Sequence, residues 1–344
     1  IPDFRPATAD GAEPANNHEI DGLKVFNRTA RKGLFSRLAK KKAQWLREVF
    51  GEEFEIVEVP YSDTAGPDQV FTADGTFSLS SGAEVITVVS QFKNEKRQAE
   101  VPRQNKAIKE SDEIHGIPRR FVYLPEGHYF EGTGDAVYDR FRDIVWAGYA
   151  PLEEAATAGR SDIRAHQFLE RPDNLNVQFI SIKTRAPYYH IDTVLAPLPN
   201  GHMLINPDAV APEELKKIKL NAFERFGLDP DEYMIPVSVE DARRLATNVR
   251  CIGNHVFIPD CSTELQNAIR AKGYKVTAVN LREYLYAGGS GHCLSNNIDE
   301  ERIIGGIARS LGLVDQLPWK GSSYVPPEEI LVESKPAGGD LTLD

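Results

Sequence analysis

Four short segments of the chain carry side chains able to do covalent and proton-transfer chemistry: PDQVFTAD at Pro67–Asp74, FEGTGD at Phe130–Asp135, HIDT at His190–Thr193 and GGSGHC at Gly288–Cys293. Between them they supply Asp68, Asp74, Glu131, Asp135, His190, Asp192 and Cys293. A cysteine beside a histidine can attack an electrophilic carbon while the imidazole moves protons. Cysteine proteases use the same pair, but they need an oxyanion hole rather than a ring of carboxylates. Several carboxylates around a thiol suit a cationic electrophile, and a guanidinium, planar with five N–H donors, pairs with carboxylates two bonds at a time. Its central carbon is a poor electrophile. Fixing it against a thiolate and protonating the departing amine lowers that barrier. Gly288, Gly289 and Gly291, just ahead of Cys293, let the backbone take positive φ and a substrate come close.

Each residue also has a plainer reading. A lone cysteine is most often a small buried hydrophobe, and a single histidine on a strand is most often structural. Asp68 and Asp135 sit where turns form, and Arg97 lies in the charged run Lys93–Glu100, of the kind that usually forms a solvated face. It is the set that points to guanidine chemistry. Cys251 and Cys261 read as structural, and His202, in a PNGH turn, as exposed and passive. His292 adjoins Cys293, and neighbouring side chains on an extended segment face opposite ways, which gives His292 a packing or backbone-positioning part.

Bulk properties exclude other classes. A net charge of −11 disfavours nucleic acid as a partner. No run approaches the roughly 18 apolar residues that span a bilayer, and no signal peptide is visible, so no membrane partner is expected. The first residue is Ile1, which leaves upstream residues open. Three cysteines without a CxxC pair and eight histidines without HxxxH or HExxH spacing imply neither a disulfide framework nor a metal site. A cytoplasmic setting follows from that cysteine usage.

The elements that must position these residues read as repeated β-hairpin plus helix units. Val70–Leu79 and Glu84–Ser90 form one pair around a turn at Ser80–Ala83; Ala136–Tyr138 with Asp143–Trp146, Thr193–Leu198 with His202–Ile205, and Arg250–Ile252 with His255–Ile258 form the others. Helices are expected at Pro212–Phe226, Val239–Thr247 and Ser262–Lys272, an amphipathic helix from Phe35 to Phe50, and a short strand at Glu55–Pro60. A closed radial arrangement would leave no bare sheet edges. Residues 1–20 read as an extended entry, 21–332 as one catalytic domain and 333–344 as a loose tail.

The four chemical segments, in this order, resemble those of the guanidino-group-modifying (pentein) enzymes: arginine deiminase, dimethylarginine dimethylaminohydrolase, the amidinotransferases and the arginine dihydrolases. The resemblance runs from Gln44 to Ile298 and rests on FTAD, EGxGD, HIDT and the glycine-rich approach to Cys293. It implies an α/β fold, a five-bladed α/β propeller with pseudo-fivefold ββαβ-type repeats. It also implies a cofactor-free, metal-free hydrolase that takes arginine or a derivative through a covalent thiouronium to a ureido product. Carried over by position, Cys293 is the nucleophile and His190 the acid and base. Asp192 steadies the guanidinium or the histidine, Glu131 and Asp74 grip the guanidinium, and Asp68 matches a further acidic position. Arg97 and Arg160 match the arginines that bind the substrate carboxylate. Departures keep other members of the group in play. The dihydrolases carry Asn after FTA where this chain has Asp74, the deiminases place an arginine before the nucleophile where this chain has AGGSGH, and the eukaryotic amidinotransferases have HCWT against HCLS. Amidino transfer, dihydrolysis to ornithine and non-catalytic arginine binding stand as alternatives, and a homo-oligomer is left open.

Overall fold

The computed structural model describes residues 56–303 apart from 61, 63–66, 81–82, 151–159, 227–228 and 286. The expected Phe35–Phe50 helix, Glu55, the entry segment and the C-terminal tail lie outside the described residues.

Among the described residues, four three-stranded sheets share one construction. In the first, β1 (Thr76–Ser80) runs antiparallel to β2 (Val85–Val89), and β2 runs parallel to β3 (Arg119–Tyr123). The pattern recurs in β4 (Ala136–Asp139), β5 (Ile144–Tyr149) and β6 (Gln178–Lys183), then in β7 (Leu195–Pro197), β8 (Met203–Ile205) and β9 (Met234–Pro236). β10 (Arg250–Ile252), β11 (His255–Pro259) and β12 (Lys275–Val279) complete it. The middle strand is the buried one: in β2, VITVV is covered at every position, as a strand packed on both faces requires. A tight turn suffices for the antiparallel partner, whereas the parallel one needs a crossover. In the first sheet that crossover is the Val101–His115 helix, closed by Gly116 at φ 66°, whose N–H donates to Asp112 O.

The hairpin expectation holds for all four pairs, with shifted edges. The Val70–Leu79 strand shortens to Thr76–Ser80, because Pro67–Val70 and Thr72–Gly75 wind into single 3-10 turns. Pro212–Phe226 is a helix as expected, and Thr263–Ala271 starts from Ser262, whose Oγ accepts from Leu265 N–H at 3.2 Å. Val239–Thr247 holds a helix only to Ala242, and residues 56–60 form no strand. The third strands and the Val101–His115 helix were not foreseen: their polar faces hide a periodicity that only crossover packing reveals.

Among the described residues the core forms two clusters. One surrounds Phe77, Val88, Phe130 and Leu169; the larger surrounds Trp146, Ile182, Leu204 and Ile258. Residues 300–302 return to the open edge of β1, where Ser80 N–H donates to Glu300 O at 2.7 Å and Arg302 N–H to Ser80 O at 3.0 Å.

Candidate active site

The segment just ahead of each sheet's first strand points to one place. Asp74 precedes β1, Glu131 and Asp135 precede β4, and His190 and Asp192 precede β7. All five are buried, with Cys293 beside them. These stretches coil into short turns before entering the strands, which turns their side chains off the sheets. The turns pack closely: a Cβ on Gly134 would lie 2.4 Å from Asp74 Oδ1 and 2.8 Å from His190 Nδ1, so only glycine fits there. Backbone bonds then sew the Cys293 segment onto the first unit: Ala73 N–H donates to Cys293 O at 3.2 Å and Thr72 Oγ1 to Leu294 O at 3.2 Å. On the other side, Tyr189 Oη donates to Gly288 O.

His190 Nε2 bonds Glu131 Oε2 at 2.9 Å, and its Nδ1 lies 3.8 Å from Asp74 Oδ1. Burial disfavours the imidazolium, yet Asp74, Asp135 and Glu131 outweigh it and raise the His190 pKa to about 9. Burial would likewise raise Glu131, but Arg160, His190 and Arg97 hold it at about 2. The pair therefore rests as imidazolium and carboxylate at neutral pH. Asp192 Oδ2 accepts from the Cys293 thiol at 3.3 Å. Burial pushes Asp192 up to about 7, and burial with Asp192 and Asp74 pushes the Cys293 thiol well up. Asp74 Oδ1, Glu131 Oε1 and Asp192 Oδ1 are buried without a hydrogen-bond partner, as is His190 Nδ1. Three carboxylate oxygens that make no hydrogen bond, beside a thiol, are acceptors for a compact cation with several N–H groups.

Cys293, His190, Glu131, Asp74 and Asp192 are thus brought together; the two arginines have distinct settings. Arg97 is wholly buried and turned inward. Its Nε and Nη2 donate to the two oxygens of Glu100 at 2.9 Å each, and its Nη1 donates to Asp74 Oδ2 at 2.8 Å. Phe92 lies against the same guanidinium, 4.4 Å from ring centroid to Cζ. This is an internal counter-ion, where a solvated or carboxylate-binding arginine was expected. Glu100, three residues on, folds back onto Arg97 only because a helical turn spans them. Asp68, fully buried, belongs to this side, its backbone O accepting from Arg97 Nη2 at 3.5 Å. Arg160 keeps 11% of its side chain exposed, sits 3.8 Å from Glu131 and stacks over Tyr189 at 5.0 Å.

Asp74, Glu131 and His190 could each turn one ligand atom toward a metal ion. Arg97 and the imidazolium proton already occupy that negative potential, so a divalent ion would have to displace the proton. His292 takes the positioning part, its Nε2 meeting Thr133 O at 2.9 Å. His202 is buried rather than exposed, because its Nδ1 bonds Tyr274 Oη at 3.0 Å across the turn. Sequence reasoning overlooked Asn248, which touches the Cys293 sulfur. Its signal was positional: Asn248 precedes β10 as Asp74 precedes β1.

A sequence model for the family described as N,N dimethylarginine dimethylhydrolase, eukaryotic, matches residues 43–299. Among characterised relatives, the bifunctional arginine dihydrolase/ornithine cyclodeaminase AgrE of Nostoc sp. is 30% identical over 251 residues, covering 72% of this chain and 32% of that protein. The chain therefore spans about a third of the length of that relative. The N(G),N(G)-dimethylarginine dimethylaminohydrolase of Mycobacterium tuberculosis is 29% identical over 263 residues, covering 75% of each chain. The product-bound N-terminal domain of ArgZ, a cyanobacterial arginine dihydrolase, superposes with a TM-score of 0.64 at 28% identity, covering 76% of this chain and 86% of that one. The four sheets are accordingly blades of an α/β propeller of the pentein kind.

Proposed function

The chain belongs to the family of eukaryotic-type N,N-dimethylarginine dimethylhydrolases, and from that premise we propose that it hydrolyses the guanidino group of arginine or a methylated arginine through Cys293. One observation carries the reading: a thiol, an imidazolium and three carboxylates with unpaired oxygens converge in one buried place. Asp74, Glu131 and Asp192 would hold the guanidinium, and its charge would offset the carboxylates that keep the thiol protonated. The Cys293 thiol gives up its proton, which leaves with the amine as its ammonium ion, and the sulfur adds to the guanidino carbon. The carbon–nitrogen bond to the departing amine then breaks as His190 supplies that nitrogen's proton, leaving a thiouronium on Cys293. Water attacks the same carbon and returns a proton to His190. The carbon–sulfur bond then breaks to release a ureido product and the free thiol.

We assign the substrate carboxylate to Arg160, whose side chain reaches solvent where that of Arg97 does not, and give Arg97 and Asp68 the part of holding Asp74 in place. The substrate is a small guanidine, and neither nucleic acid nor membrane is a proposed partner; among the described residues no helix is long and apolar enough to cross a membrane. We take residues 21–332 as one catalytic domain, acting without metal or cofactor.

Product analysis with arginine and asymmetric dimethylarginine tests the proposal. Ureido product and one amine per substrate, lost in Cys293→Ser, is the expected result; wild-type rates in that variant would overturn it. The likeness to AgrE and ArgZ favours a second reading, dihydrolysis, which would release two ammonia molecules and ornithine per arginine. Asp74 in place of the dihydrolases' asparagine speaks for the single hydrolysis.

A further inference from the structure

Around the propeller, the residue just ahead of each first strand faces the site. In three blades that place holds ionisable groups: Asp74, then Glu131 with Asp135, then His190 with Asp192. In the fourth it holds Asn248, an amide with no exposure to solvent. Its side-chain contacts run to the nucleophile segment. Oδ1 accepts from His292 N–H at 3.0 Å and from Cys293 N–H at 3.2 Å, while Nδ2 donates to Cys293 Sγ at 3.1 Å. Backbone N–H groups can only donate, so the amide oxygen must face them. That fixes the NH2 end on the sulfur.

We propose that Asn248 holds the nucleophile of this enzyme, fixing the Cys293 backbone with one end of its amide and stabilising the thiolate with the other. The inference rests on the reading of Cys293 as the nucleophile. The sulfur's neighbours oppose one another. Asp192, accepting the thiol proton, favours the neutral form, whereas an N–H donor binds a charged sulfur more strongly than a neutral one. A lysine or arginine could stabilise the thiolate too, but its charge would repel a guanidinium and compete for the same carboxylates. An amide stabilises the anion and leaves the carboxylates for the substrate. Placing it ahead of a strand, in a buried turn, keeps its two ends from exchanging roles.

The test is the pH dependence of Cys293 alkylation by iodoacetamide, read on the Cys293 peptide by mass spectrometry so that Cys251 and Cys261 do not contribute. In Asn248→Ala the profile should move about one pH unit or more to the alkaline side, with alkylation at pH 8 slowed about tenfold, the effect of losing one hydrogen bond to an anion. kcat should fall by a similar factor while KM stays within about twofold. Asn248→Asp keeps the oxygen that holds the two N–H groups and removes the donor, so above pH 8 it should shift the profile in the same direction. Should the alanine variant fail to fold, the aspartate variant decides. Folded variants with the wild-type alkylation profile would overturn the proposal, as would a loss of stability with no movement of the profile. Alkylation needs no turnover, so a wild-type protein inert toward every guanidine would sink the proposed function and leave this readout intact.

Discussion

Asp139 and Asp192 are equally shut off from solvent, at 0% and 1% exposure, yet their surroundings differ atom by atom. Both oxygens of Asp139 are engaged. Oδ1 accepts from Arg142 N–H at 3.1 Å, and Oδ2 accepts from Arg142 Nη1 at 2.7 Å and Trp146 Nε1 at 3.0 Å. Arg142 Nη2 then reaches Gly201 O at 2.6 Å, tying the second blade to the turn of the third. Asp192 instead meets a thiol with one oxygen and leaves the other without a partner, as Asp74 and Glu131 do. A buried carboxylate with both oxygens hydrogen-bonded is part of the frame. Several that each keep one oxygen without a hydrogen bond, gathered around the His190 imidazolium, retain acceptors for the N–H groups of a substrate. The Arg97–Glu100 pair lies between the two cases, closed on one side and turned to Asp74 on the other.

If that distinction is right, substitutions on the two sides should separate turnover from stability. His190→Gln should lower kcat roughly 10²- to 10⁴-fold with the fold intact, since it removes the acid and base; near-normal kcat would put the proton transfers elsewhere. Gly134→Ala introduces a Cβ between Asp74 and His190. Displacing either by about 1 Å should reduce kcat/KM by up to about 10²-fold, and an unchanged value would mean that their spacing is unimportant. Arg142→Met works the other way. It leaves Asp139 buried without its counter-ion and should cost about 3–5 kcal/mol in chemical denaturation, while kcat per folded molecule changes little. A large kcat loss there would erase the contrast between frame and site.

A further effect is on pH. His190, raised from its ordinary 6.5 to about 9, contributes stability that is full below 6.5 and lost as pH rises through about 9. Glu131, depressed from 4.5 to about 2, contributes stability present above 4.5 and lost as pH falls through about 2. The pair should therefore stabilise the fold most between 4.5 and 6.5. Glu131→Gln should flatten both flanks of that stability profile in urea unfolding; flanks as steep as wild type would remove the ion pair from the account.

Asp74, Glu131, Asp135 and Cys293 were legible in the sequence because each sits close to glycine in a short polar segment, and His190 and Asp192 because HIDT places a base and an acid just ahead of an apolar run. The hairpins were legible for a related reason: three of the four turns carry Gly, and the middle strands are rich in apolar and β-branched residues, as in VITVV. Arg97 was not, since its charged run looks solvated until Glu100 and Asp74 enclose it. His202 was misjudged because Tyr274, 72 residues away, covers it. Asn248 was missed for a different reason. An amide carries no charge to draw notice, and only the repeat of the fold shows that it stands where the acids stand.

The measurement that bears most directly on the account is intact-protein mass spectrometry after mixing with arginine, methylated arginines and simple guanidines, with product analysis of the same samples. The account predicts a transient amidino adduct on Cys293, absent from Cys293→Ser, together with ureido product. Ureido product with no adduct at Cys293, or an adduct on Cys251 or Cys261 instead, would contradict it.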